Sequence, residues 1–178
     1  IQKDPGNAQF HSNLGLVFQG MKDYNSAKAS MQRALDIDPE NPVVWANIVG
    51  VYRQLKLYDS AAYYFKRQLF KKTDPGARSY FTIANFYDDM KEYDSAIVYY
   101  RKVIQLDAKY APAYTQTGNV FIKIEMNDSA LVYLSQAVKL DPNSATAALN
   151  LGLVYHSLQR YDAAIESIQN SIRLDATK

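Results

Sequence analysis

The sequence predicts an all-α protein built from five stacked helical hairpins. Three observations lead there. An alanine recurs at Ala27, Ala61, Ala96, Ala130 and Ala164, with gaps of 34, 35, 34 and 34 residues. A fixed period of this size marks a repeat array, in which each unit buries its apolar face only against its neighbours. Apolar residues also recur at helical rather than strand spacing, as in Leu14, Val17 and Phe18, or Leu151, Val154 and Tyr155. Finally, caps and prolines punctuate the chain at matching places in successive units.

With the alanines as a ruler, the units span 8–41, 42–76, 77–110, 111–144 and 145–178. Each reads as two helices of about 13 or 14 residues. Asn7, Asn41 and Ser144 precede the first helix of their units as caps, and Pro42 and Pro112 occupy its first turn, where a missing N–H costs little. The second helix is expected to start at Asn25, Asp59, Asp94, Asp128 and Asp162, whose side-chain oxygens can accept from free amides. It is expected to end at Asp38-Pro39, Asp74-Pro75, Asp107-Ala108, Asp141-Pro142 and Asp175-Ala176, because proline cannot continue a helix. Small residues pair where the two helices must approach: Gly15 with Ala27, Gly118 with Ala130, Gly152 with Ala164. The residue four places after each alanine should fill the adjacent groove: Met31, Phe65, Tyr100, Leu134 and Ile168.

The segment Ile1-Gln2-Lys3-Asp4-Pro5 echoes Leu35-Asp36-Ile37-Asp38-Pro39, so residues 1–7 read as the tail of a preceding repeat and the chain as a piece of a longer protein. The whole of 1–178 is then a single array. Its end helices would carry uncovered packing surface, from which weak end-to-end self-association is expected.

Composition narrows the function. Apolar residues make up 48% of the 178, enough for a core. Twenty basic and 18 acidic residues give a net charge of +2, a balance that argues against a nucleic-acid partner held by phosphate contacts. No apolar run approaches the roughly 18 residues of a membrane span, so no membrane insertion is expected. The sequence does not fix the compartment. Without cysteine there is no thiolate chemistry. The two histidines, His11 and His156, stand more than four repeats apart and cannot share a metal or a nucleophile. No glycine-rich phosphate loop occurs, and the paired acids Asp88-Asp89 read as solvated helix surface. Neither catalysis, nor a metal, nor a cofactor is expected. Most of the 15 tyrosines fall at repeat-equivalent places, such as Tyr24, Tyr58, Tyr93 and Tyr161, and so belong to packing.

These units resemble the tetratricopeptide repeat (TPR). The second carries Trp45…Ile48-Val49…Tyr52…Ala61…Phe65; the first His11…Leu14-Gly15…Phe18…Ala27…Met31…Ala34…Pro39; the fourth Tyr114…Thr117-Gly118…Phe121…Ala130…Leu134…Ala137…Pro142. The third and fifth follow with Tyr80…Ile83-Ala84…Tyr87…Ala96…Tyr100 and Ala148…Leu151-Gly152…Tyr155…Ala164…Ile168. The second departs most: Val49 stands for a small residue, Gln68 for a small apolar one, and one residue is inserted near Thr73. The resemblance implies a right-handed superhelical solenoid of five helix–turn–helix repeats. It also implies a non-catalytic scaffold that binds a protein or peptide in a concave groove. A self-assembly or spacer element, and a regulatory segment of a larger enzyme, stand as alternatives.

In such proteins the first helices line the groove, at the second, fifth, sixth, ninth, twelfth and thirteenth places of each unit. Each unit here has one asparagine among them: Asn13, Asn47, Asn85, Asn119 and Asn150. An amide offers donor and acceptor, which suits an extended peptide backbone. The row resembles the asparagine ladder of the O-linked N-acetylglucosamine transferase superhelix at Asn13, Asn47 and Asn150, with Asn85 and Asn119 one turn displaced. The chaperone-type carboxylate clamp fits less well: Asn47 and Arg78 match it, but Ser12, Leu16 and Thr82 do not. Arg53, Arg78 and Lys123 are expected to attract an acidic segment, Asp88 and Asp89 to oppose it, and Phe81 to offer apolar contact.

Overall fold

The computed structural model describes residues 7–70 and 76–176. Residues 1–6 of the expected tail and the inserted residue near Thr73 lie outside them. The chain divides into two compact units, residues 1–75 and 76–178. Unit 1 holds α1 (Ala8–Gly20), α2 (Tyr24–Ile37), α3 (Pro42–Gln54) and α4 (Tyr58–Leu69). Unit 2 holds α5 (Ala77–Asp89), α6 (Tyr93–Leu106), α7 (Ala111–Lys123), α8 (Asn127–Leu140), α9 (Ala145–Ser157) and α10 (Tyr161–Asp175). The described residues are thus all-α, with ten helices in five antiparallel pairs and no strand.

The first helices start where their caps place them. Asn7 accepts from the Gln9 amide, Asn41 from the Val43 and Val44 amides, and Ser144 from the Ala147 amide. The second helices start differently from the expectation. Asn25, Asp59, Asp94, Asp128 and Asp162 do not cap; each is the second residue inside its helix. The true caps are Asp23, Leu57, Glu92, Met126 and Arg160, of which only Asp23 accepts a hydrogen bond through its side chain, from Ser26. Hydrogen bonds from the Ser26 side chain and then its amide hold the Asp23 carboxyl below its ordinary range. The acids inside the first turn instead face the positive end of the helix dipole.

The turn between paired helices explains the shift. Lys22, Lys56, Lys91, Glu125 and Gln159 all take a left-handed conformation, with φ between 57° and 62°. The amide after each reaches back five residues to the end of the first helix: Asp23 N–H to the Phe18 carbonyl at 2.9 Å, Arg160 N–H to that of Tyr155 at 2.8 Å. This is the Schellman closure, usually made with glycine. No glycine marks it here, so the sequence carries no signal for it.

Helix pairs meet on small residues. A Cβ at Gly15 would stand 2.6 Å from Met31 Cγ and 3.2 Å from the Ala27 carbonyl oxygen; one at Gly152 would stand 2.6 Å from Ile168 Cγ1 and 3.2 Å from the Ala164 carbonyl oxygen. At Gly118 the obstacle is Leu134, whose Cγ would be 2.5 Å away. Met31, Tyr100 and Leu134 are fully buried in the grooves so formed, while Phe65 and Ile168 are half-buried. In the second pair Val49 is buried and Gln68 turns to solvent. There α4 stops at Leu69, short of the expected Asp74-Pro75. Trp45 is fully buried and donates its indole N–H to the Pro39 carbonyl at 3.0 Å, tying α3 to the preceding turn.

Candidate functional site

The first helices α5, α7 and α9 of unit 2 bring the expected site residues closest together. Asn150 Nδ2 donates to Asn119 Oδ1 at 2.6 Å, and Asn119 Nδ2 donates to Gln116 Oε1 at 2.7 Å. A chain of three side-chain amides therefore crosses from α9 to α7. The displacement of Asn119 by one turn is what makes this possible, because the ninth place of one first helix lies beside the sixth place of the next.

Gln116 also borders an open hollow of about 190 Å³ lined by Phe81, Ala111, Pro112, Thr115, Asp141, Ser144 and Thr146 as well. Phe81 forms its aromatic wall. Tyr110 meets that ring edge-on at 5.2 Å between centroids, and Tyr100 lies tilted at 5.7 Å. These contacts fix the ring. Asp141 and Ser144 come from the turn between α8 and α9, outside the groove places read from the sequence; their capping pattern is the only sequence signal for them.

The other expected residues are placed differently. Asn85 is half-buried and accepts from the Tyr100 hydroxyl at 2.6 Å, so its carbonyl is engaged inside the unit. Burial, then the charges of Asp88 and Asp89, push the Tyr100 phenol well above its ordinary range. Lys123 corrects an expectation. Its ammonium sits on both Asp88 oxygens at 2.7 and 2.8 Å and lies over the Tyr93 ring at 5.8 Å. It neutralises Asp88 instead of standing ready for an acidic segment. Arg78 is exposed near the start of α5.

Asn13, Asn47 and Arg53 belong to unit 1. Gln9 on the same helix donates to Asn13 at 2.8 Å, and Asn47 donates to the buried Ser12 hydroxyl at 3.4 Å. Arg53 is exposed. On another face of this unit, Arg67 lies over the Trp45 ring at 4.7 Å, donates to the Tyr63 hydroxyl at 3.1 Å and pairs with Glu40. With Glu40, Trp45, Tyr63, Lys66 and Phe70 it lines an open hollow of about 390 Å³. Among the described residues no helix is long and apolar enough to cross a membrane, and no cluster of potential metal ligands forms.

Profiles of the tetratricopeptide repeat match residues 18–78, 77–110 and 145–178, and a TPR profile matches 118–159. The chain is a tetratricopeptide repeat protein. Among solved structures, this TPR protein is similar to MamA at 21% identity, over 92% of this chain and 95% of that one, with a TM-score of 0.63. It is similar to YrrB, described as a TPR protein with an unusual peptide-binding site, at 20% identity over 98% and 89% of the two chains, TM-score 0.59. PilF of Pseudomonas aeruginosa aligns at 19% identity over 97% and 78%, TM-score 0.58. At these identities the likeness is one of fold. No curated protein matches the chain. TPR proteins typically mediate protein–protein interactions.

Proposed function

We propose that this TPR protein is a non-catalytic interaction module, its five pairs forming one array, and that it holds an extended partner segment against the first helices of unit 2. The observation that carries this is the adjacency of the amide chain to the hollow. Gln116 belongs to both, so a backbone running along Asn150 and Asn119 would deliver a side chain beside Phe81. Each amide keeps capacity beyond its mutual hydrogen bond: a side-chain amide has two donors and an acceptor with two lone pairs. The pre-paired amides are held in place before the partner arrives, which lowers the ordering cost of binding. The description of YrrB as a peptide binder is in keeping with this reading. Unit 1 contributes less to it, since Asn13 and Asn47 are tied to separate partners.

The test is a double replacement. Asn119→Ala with Asn150→Ala removes hydrogen bonds that contribute roughly 0.5–1.5 kcal/mol each. A peptide selected on the full chain should bind about tenfold more weakly by calorimetry, while far-UV circular dichroism stays the same. Undiminished affinity in the double variant would move the binding face elsewhere.

A further inference from the structure

We propose that the hollow beside Phe81 takes a lysine or arginine side chain of the partner segment, with Asp141 as its counter-charge; this rests on the groove reading above.

Size comes first. At about 190 Å³ the hollow falls below the roughly 300–1,000 Å³ of a small-molecule site, and it suits one side chain. Its lining joins apolar surface, from Phe81, Ala111 and Pro112, to polar groups on Thr115, Gln116, Ser144 and Thr146. Such a mixed lining fits an amphipathic side chain that lays a methylene stem on apolar surface and keeps its head wet.

Charge decides between the amphipathic candidates. Asp141 is the one ionisable group among the lining residues.

The hydrogen-bonding inventory points the same way. Two helix N-termini border the hollow, and free amides there would favour an anion. Those donors are largely spent, however. Pro112 has none, Ser144 Oγ takes the Ala147 amide at 3.2 Å, and Asp141 Oδ1 takes the Asn143 amide at 3.1 Å. The Thr115 hydroxyl donates to the Ala111 carbonyl at 3.3 Å, which turns its lone pairs outward. Beside the Gln116 amide N–H groups and the Thr146 hydroxyl, the lining offers acceptors and one carboxylate. A cationic donor matches both, and a guanidinium or ammonium gains further from an aromatic wall.

A random dodecapeptide library displayed against the full chain tests this. Enriched peptides should share one lysine or arginine anchor. Changing that anchor to norleucine in a synthetic peptide should cost about tenfold on the native chain, the scale of a charge-assisted hydrogen bond. On Asp141→Asn, which keeps the acceptor for the Asn143 amide, the same change should cost less than about twofold. Thr146→Arg, at an exposed place on the rim, should block the anchored peptide by supplying its own cation. Aromatic, aliphatic or acidic anchors would overturn the inference. So would a norleucine penalty equal on the native and Asp141→Asn chains, even if Asn119→Ala with Asn150→Ala weakens binding and the groove reading survives. Failure to select any peptide sensitive to Asn119, Asn150 or Thr146 would overturn both.

Discussion

In unit 2 the asparagine at the sixth place of α9 meets an amide; in unit 1 the asparagine at the sixth place of α3 meets a hydroxyl. The repeat geometry is common to both. What differs is the ninth place of the preceding first helix. Unit 2 has Asn119 there, and Asn150 reaches it at 2.6 Å. Unit 1 has Leu16, which is 43% exposed, and Asn47 turns to Ser12 at 3.4 Å instead. A row of equal residues in a repeat alignment is therefore not yet a ladder. One rung joins, between the sixth place of α9 and the ninth place of α7; Gln116 and Asn85, at the same two places of α7 and α5, pair with Asn119 and Tyr100 instead.

The largest expected effect comes from breaking unit 2 at its helix contact. Gly118→Val would drive a side chain into Leu134 Cγ, the branch point and not a flexible tip, at a site where even a Cβ stands 2.5 Å away. Overpacking of this kind costs about 1–3 kcal/mol. Hydrogen exchange read segment by segment should lose protection in residues 76–176 more than in 7–70; equal loss throughout would show that the two units unfold as one.

Next is Tyr100→Phe, which removes a buried hydroxyl that donates to Asn85 and should cost roughly 0.5–1.5 kcal/mol at neutral pH. It should also change the alkaline limb. The folded phenol is shifted upward from the ordinary tyrosine value of 10.0, so its contribution is fully present below that pH. Above it the unfolded chain releases a proton that the folded chain keeps, and stability falls as pH rises, toward about 1.4 kcal/mol per pH unit. Urea midpoints between pH 9 and 11 should decline less steeply in Tyr100→Phe. Parallel declines would assign the slope to other groups, of which Tyr52 and Tyr64 in unit 1 are raised too, chiefly by burial.

The smallest effect sharpens the comparison directly. Leu16→Asn places an amide at the ninth place of α1 and should draw Asn47 away from Ser12. The gain is at most about 1 kcal/mol, since one net hydrogen bond is formed at a partly exposed place. A double-mutant cycle with Asn47→Ala reads the coupling; zero coupling would mean that the Asn150–Asn119 contact does not transfer to unit 1.

Much of this was legible in the sequence. The marker alanines, glycines and first-helix caps gave five pairs in the right register, because close packing and capping demand particular residues at particular places. The joined rungs were harder to read. Asn119 looked like a misplaced member of the row because adjacent helices were compared place by place instead of along the diagonal. Lys123 looked like an available cation for the same reason: Asp88, at the twelfth place one helix earlier, is its neighbour only across repeats. Asn85 looked open because nothing in its own helix announces the Tyr100 hydroxyl beneath it. The second-helix starts were misread because the turn before them is made without glycine.

That turn has a use of its own. The five left-handed residues are all exposed, lie a repeat apart, and belong to no face discussed above. Holding a residue other than glycine there costs roughly 1–2 kcal/mol, part of which a glycine would return after its own entropy penalty. Distant sites add nearly independently. Glycine at one, two or more of these turns would thus form a graded dial on folding, with the groove and its hollow untouched. Recognition could then be measured at several settings of stability, and a loss of affinity told apart from a loss of fold.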